Sequence, residues 1–302
     1  MIGLVIGFML MGSAISANKI VMGVLPSTLF TGIRMLCAGI ILLILVGRNN
    51  ERLTWNYLKH DLYALFMVGF CTTYITSLLK AWSLKNLLSS KAAFIASLDP
   101  FVAALYAYLL WNEKLSSKKW LGLFLGFTGV ILLLQVDLGI EQLQGNIFNI
   151  SLAECAAFAA MSVGRYGWIL AAQFLKKGRY TSMELNSISM TSSGIIALIT
   201  AWFIDPIQTS LAAINIKIFT AMSYSIIIGN VISYNIYGYF LKKYSVTMVS
   251  LFGFIIPLTV ATIGFFILHE EITTRFILAA GIIFVGLTIF YADELKKDIT
   301  LH

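Results

Sequence analysis

Apolar residues run along this chain in long blocks, separated by short clusters of polar and basic residues. A bilayer core ~30 Å thick takes ~20 predominantly apolar residues per helix. Counting such blocks predicts ten spans, at about 2–22, 28–47, 61–83, 87–111, 119–136, 149–173, 185–204, 216–241, 244–268 and 274–292. The expected fold class is an all-α membrane protein with ten transmembrane helices.

One block pattern occurs twice. Residues 98–134 reappear without a gap as 255–291, an offset of 157 that lays Pro100 on Pro257, Glu113 on Glu270, Ser117 on Thr274 and Gly129 on Gly286. Each copy reads as an apolar helix with a proline near its start, a Glu at its polar end, a hydroxyl-bearing connection and a second apolar helix with small residues. Ten spans divide into five and five, which predicts repeats at 1–143 and 144–302. Because five is odd, the second repeat must lie upside down relative to the first.

The polar clusters give the orientation. One set of helix ends carries Arg48, Arg52, Lys59, Lys114, Lys118, Lys119, Lys176, Lys177, Arg179, Lys242, Lys243, Lys296 and Lys297. The other carries only Lys85, Lys217 and Arg275, and its longest loop holds Asp137 and Glu141 with no base. Basic residues gather on the cytoplasmic side of membrane proteins, so both termini are expected inside the cell. The first sixteen residues lack a basic leader and open onto further apolar sequence, so they are expected to be a retained first helix. Inverted repeats of this kind are a hallmark of secondary transporters, with the substrate near the midplane where the repeats meet.

Composition narrows the classes. Of 302 residues 59% are apolar and 12% charged, too few charges to dress a soluble surface. The net charge of +7 is accounted for by the basic loops, so no nucleic-acid partner is expected. Cys37, Cys71 and Cys155 lie inside apolar blocks without pairing or metal spacing. His269-Glu270-Glu271 begins like a zinc-protease motif, but Thr273 stands where the second His belongs. With no nucleotide-binding or paired metal motif either, neither an enzyme, a cofactor nor an ATP-driven pump is expected.

Charges inside the blocks are the candidate chemistry. Lys19, Arg34, Lys80, Lys91 and Arg165, with Asp99 and Glu154, fall within or at the edge of spans. Each costs ~2.5–3.5 kcal/mol at mid-bilayer, so each should face a cavity or a partner. Asp99 precedes Pro100, where the helix should kink and release carbonyls; a cation-binding acid and a helix-capping acid are both open readings. Lys91, Lys19 and Lys80 either snorkel to the surface or serve a ligand. Glu154 and Arg165, eleven positions apart, share a face yet lie about 16 Å apart, so each needs another partner or a substrate group; for Arg34, an ion-pairing candidate, a structural pair and a ligand role are both open readings. Ser223, Asn230, Tyr234 and Tyr237, at spacings of seven, four and three, make a polar stripe on one helical face. Thr73, Ser77 and Lys80 repeat it. Interhelical hydrogen bonding and a hydrated pathway both explain such stripes. Rings on spans that carry polar groups, Trp82, Trp168, Tyr166, Tyr224 and Tyr234, belong to the core, the interface belt or a cation-holding cavity.

The doubled Pro, Glu and Gly pattern, across all ten spans, resembles the EamA-type permeases of the drug/metabolite transporter superfamily. That resemblance implies a central cavity between two halves and alternating access without ATP. Within the superfamily, SSKAAF at 89–94, YGWI at 166–169, Asn186 and Ser189-Met190 resemble the S-adenosylmethionine transporters of intracellular bacteria. Such a substrate brings a carboxylate, an ammonium, a sulfonium and an adenine. A site for it calls for a base, an acid and ring faces, and Asp99, Lys91, Phe94, Glu154, Arg165, Tyr166, Trp168, Asn186, Asn230 and Tyr234 supply these types.

The expectation is therefore a multi-pass protein of the bacterial inner membrane. It carries a zwitterionic metabolite as uniporter or exchanger, S-adenosylmethionine foremost and S-adenosylhomocysteine as counter-substrate. An amino-acid or drug exporter on the same scaffold, and a membrane protein or channel that transports nothing, are the alternatives. The partners expected are a small molecule and the lipid bilayer, with the oligomeric state open.

Overall fold

A computed structural model of the chain describes residues 2–48, 59–111, 115–135, 151–205, 214–243, 249, 252, 253, 255–269 and 274–299. Among them every regular element is helical: α1 (Ile2–Met22), α2 (Ser27–Arg48), α3 (Leu62–Asn86), α4 (Ser89–Ala96), α5 (Asp99–Trp111), α6 (Ser117–Gln135), α7 (Leu152–Lys176), α8 (Ser182–Ile204), α9 (Ile216–Lys243), α10 (Ile255–Leu268) and α11 (Thr274–Ile299). Helices satisfy their backbone within the segment, the condition for crossing lipid. Six of them, α1, α2, α3, α7, α8 and α9, are 20–28 residues long and apolar enough to span a bilayer, and shorter apolar helices cover 255–268 and 277–292. This is a multi-span membrane protein. Glu113, Glu270 and the loop carrying Asp137 and Glu141 lie outside the described residues.

Local sequence sets the helix ends. Ser151 and Glu154 form a reciprocal capping box that starts α7 at Leu152, and Thr181 and Glu184 do the same for α8 at Ser182. Both starts differ by three residues from those expected from apolar counts alone, because S/T-x-x-E satisfies the first orphan N–H groups ahead of or behind the apolar run. The side chain of Asp205, which ends α8, accepts from the Leu29 N–H in the first turn of α2 at 2.8 Å.

Three spans depart from α geometry. The expected fourth span is two helices, α4 and α5, joined by Ser97 and Leu98. Pro100 has no N–H to offer the Ala96 carbonyl, and Leu98 and Phe101 instead make i−3 bonds to Ile95 and Leu98. In α3 a π-helical stretch runs over Phe70–Ile75, and in α9 another runs over Ser225–Ile232. Each widened turn is held by a hydroxyl just beyond it. Thr76 donates to the Cys71 carbonyl at 2.5 Å and Ser233 to the Ile228 carbonyl at 2.6 Å, both five residues back and 157 residues apart.

Helix α2 packs along α8 and α6 along α11, while α1 packs on α9 and α10, and α7 on α3, α4 and α5. Small residues allow this closeness, as expected where helices associate without a hydrophobic driving force. A Cβ on Gly122 would lie 2.6 Å from the Gly286 carbonyl oxygen, and one on Gly286 would lie 2.8 Å from the Gly126 nitrogen.

Candidate functional site

A cavity of about 240 Å³ lies among α1, α2, α3, α4, α5, α7, α9 and α10; among the described residues α6, α8 and α11 contribute nothing to its wall. One end is aromatic. Trp168 contacts Tyr234 and Tyr237, with ring centroids 5.7 and 4.7 Å apart, and Tyr237 meets Phe8 edge-on at 6.1 Å. Ten residues further along α1, about 15 Å by helical rise, the wall becomes polar with Asn18, whose amide oxygen accepts from the Ser225 hydroxyl.

The wall also carries a charged pair, one turn along α7 from Trp168. The Arg165 guanidinium grips Asp99 in a fork, Nε to Oδ1 at 2.6 Å and Nη2 to Oδ2. The Arg165 side chain is 1% exposed and that of Asp99 28%, so the carboxylate presents an open flank to the cavity while its counter-ion stands behind. Asp99 starts α5 at the break before Pro100, the break that leaves the Ala96 carbonyl without its usual donor; Ala96 and Pro100 line the same wall.

Two further cations reach this cavity. Arg34, on α2, is 9% exposed, and its carbon Cζ stands 5.3 Å from the Phe30 ring centre. The expected ion pair for Arg34 is absent: among the described residues no carboxylate lies within salt-bridge distance, and its Nε has no hydrogen-bond partner. Lys80, on α3, is exposed and lines the wall beside Ser77 and Thr76. Lys19, by contrast, donates to the Leu84 carbonyl at 2.5 Å and to that of Leu87, closing the C-terminal end of α3.

Of the ten residues singled out in the sequence, Asp99, Arg165, Trp168 and Tyr234 line the cavity. Lys91 and Glu154 do not. They pair with each other at 2.6 Å, each side chain 6% exposed, behind the wall between α4 and α7. Asn186 donates to Asn235 Oδ1 at 3.2 Å in the contact of α8 with α9. Asn230 is fully buried, its amide donating to the Met35 sulfur at 3.0 Å. Tyr166 is exposed on the outer face, its ring 6.0 Å from that of Tyr106. The side chain of Phe94 lies outside the described residues.

Phe8, Met11, Ser77, Lys80 and Tyr237 join the wall, and the 157-residue offset relates seven pairs of wall residues. Phe8 corresponds to Arg165, Met11 to Trp168, Ser77 to Tyr234, Lys80 to Tyr237, Ala96 to Gly253, Asp99 to Ile256 and Pro100 to Pro257, and all fourteen line the cavity. That offset, carried beyond the repeated hairpin, is the sequence signal that would have found them. Chemically, the cavity offers three cations, one half-open carboxylate, hydroxyls and a cluster of rings. It holds the means to bind a polar, charged small molecule with a planar part.

A family model described as the EamA-like transporter family matches residues 1–135 and 152–292. The chain is 28% identical over 297 residues to the S-adenosylmethionine/S-adenosylhomocysteine transporter of Chlamydia trachomatis, covering 96% of this chain and 88% of that protein. It is 28% identical over 293 residues to the transporter of the same name in Chlamydia muridarum, covering 96% and 90%. Protein PecM of Dickeya dadantii is 23% identical over 269 residues, covering 89% and 82%. A solved crystal structure superposes with a TM-score of 0.67 at 13% identity, covering 95% of each chain, a likeness of fold alone.

Proposed function

The chain belongs to the EamA-like transporter family, and from that membership we propose that it carries S-adenosylmethionine across the bacterial inner membrane in exchange for S-adenosylhomocysteine. Two relatives bear that name. The observation that carries the reading is the half-open Asp99 carboxylate in a cavity that Trp168, Tyr234, Tyr237 and Phe8 also line. A sulfonium is a cation without N–H donors. It is held by a nearby carboxylate and by ring faces rather than by hydrogen bonds, and the adenine stacks on the same rings.

The scaffold in this reading is two inverted five-helix repeats, 1–143 and 144–302, with both termini cytoplasmic. The paired π-turns, the fourteen related wall residues and the reciprocal packing of α1 on α9 and α7 on α3 support it. Alternating access follows from rocking one repeat against the other around the cavity. No ATP and no bound cofactor take part, and no covalent chemistry is done. In this reading exchange has an electrostatic cause: closing an empty cavity buries the Arg34 guanidinium without a counter-ion, at several kcal/mol, whereas a bound substrate brings a carboxylate to pair with it.

Reconstituted liposomes test the proposal. Labelled S-adenosylmethionine should enter saturably without ATP, and S-adenosylhomocysteine inside the vesicle should accelerate entry. Uptake of amino acids with no response to either nucleoside refutes the substrate and favours an amino-acid exporter; non-saturating flux favours a channel.

A further inference from the structure

We propose that Arg34 is the carboxylate anchor of the cavity, so that the protein selects cargo by a free α-carboxylate; this rests on the transporter reading above. The buried cations of the described chain are otherwise matched. Lys91 meets Glu154, Arg165 meets Asp99, and Lys19 meets two helix-end carbonyls. Arg34 alone combines nine-tenths burial, a place on the cavity wall, an Nε without a partner and no carboxylate in reach among the described residues.

A guanidinium so placed is costly to keep, because a buried charge is tolerated only when paired and hydrogen-bonded. Its nearest support is the Phe30 ring, which offsets part of the charge but accepts none of the fork's five N–H donors. The planar fork matches a carboxylate bidentately. Asp99, the carboxylate on the cavity wall, does not pair with Arg34: both its oxygens are bonded to Arg165. Lys80 adds a second positive charge on the neighbouring helix, deepening the local preference for an anion. The cargo must then bring the carboxylate, and a sulfonium or thioether nucleoside that lacks one leaves Arg34 uncompensated.

The test is calorimetric binding to the purified full-length chain in detergent. The probes are S-adenosylhomocysteine and its decarboxylated amine, which keeps the adenine, thioether and ammonium. The wild-type chain should prefer the amino acid form by ~10- to 100-fold, the range of charge-assisted hydrogen bonds. R34M should abolish that preference while holding the amine within about twofold of wild type. Ligand-free R34M should unfold at or above the wild-type temperature, because it removes an unpaired buried charge; a structural arginine would lower it. R34K keeps the charge but loses the fork, so it should retain only part of the preference and gives the answer if R34M fails to fold. A preference unchanged in either variant, or equal weakening of both ligands in R34M, overturns the anchor. A wild-type chain that binds neither nucleoside overturns the substrate reading instead. The same comparison with methionine and 3-(methylthio)propylamine then decides the anchor, a preference lost in R34M upholding it and one kept overturning it.

Discussion

Lys91→Met should cripple the fold and spare the cavity. Lys91 and Glu154 approach to 2.6 Å with side chains 6% exposed, sealed by Leu87, Ile95, Ala153 and Ala157. Glu154 also accepts from the Ser151 N–H at 2.7 Å as part of the box that starts α7. At an effective dielectric of 20, charges this close attract by about 6 kcal/mol, but desolvating both ions consumes several kcal/mol each, so the pair as a whole is worth little against an apolar one. Removing one partner is different, since Glu154 is left charged and buried, at ~3–5 kcal/mol. Thermal unfolding followed by fluorescence-detected size exclusion should show K91M melting far below wild type, with the double variant K91M/E154L recovering most of the loss. S-adenosylhomocysteine affinity, measured well below the melting temperature, should change less than twofold in the folded fraction. A K91M protein as stable as wild type that no longer binds would refute the argument and put Lys91 in the substrate's path.

The same logic separates other roles. Asp99→Asn removes the charge behind which Arg165 is buried, so it should lower stability and affinity together. The diagnostic is the ratio, because S-adenosylmethionine, with its sulfonium, should lose at least ~5-fold more affinity than neutral S-adenosylhomocysteine, and equal losses mean that Asp99 serves Arg165 alone. Thr76→Val removes the hydroxyl bonded to the Cys71 carbonyl of the α3 π-turn and to the Ala160 carbonyl of α7, so ~0.5–1.5 kcal/mol of stability and part of the exchange rate should go while binding persists; an unchanged melting temperature means that the π-turn needs no hydroxyl.

Long apolar blocks and Pro100 were legible because length and a missing N–H act locally. The break between α4 and α5 stands where the proline required it, and Asp99 beside it faces the cavity. Two polar stripes divide between their two open readings in the same way. Counted at 3.6 residues per turn, Asn230 shares a face with Tyr234 and Tyr237, and Thr73 with Ser77 and Lys80. The π-turns Ser225–Ile232 and Phe70–Ile75 widen the ladder between them and shift the register. Asn230 therefore turns to Met35 on α2, and Thr73 bonds Ser193 on α8 at 2.6 Å, while Ser77, Lys80, Tyr234 and Tyr237 stay on the wall. Ion-pair partners were illegible for another reason: Lys91 and Glu154 are 63 positions apart and Asp99 and Arg165 66, and nothing local encodes which charges meet.

Irregular backbone is affordable in a bilayer only where protein or water supplies the lost partners, and here it gathers around the cavity. The break at Ser97–Leu98, both π-turns and the i−3 start of α10, where Ile256 N–H meets the Gly253 carbonyl at 3.0 Å, all supply or adjoin wall residues. Helices α6, α8 and α11, which supply no wall residue among those described, are α-helical throughout. The two π-turns fall at positions related by the 157-residue offset, so in the proposed repeats the shape of the cavity belongs to the scaffold. Its chemistry is not: Asp99 is answered by Ile256, Arg165 by Phe8 and Lys80 by Tyr237. Substitutions at the charged members should therefore change which molecule is carried, whereas those at Pro100, Pro257 and the π-turn hydroxyls should change how fast.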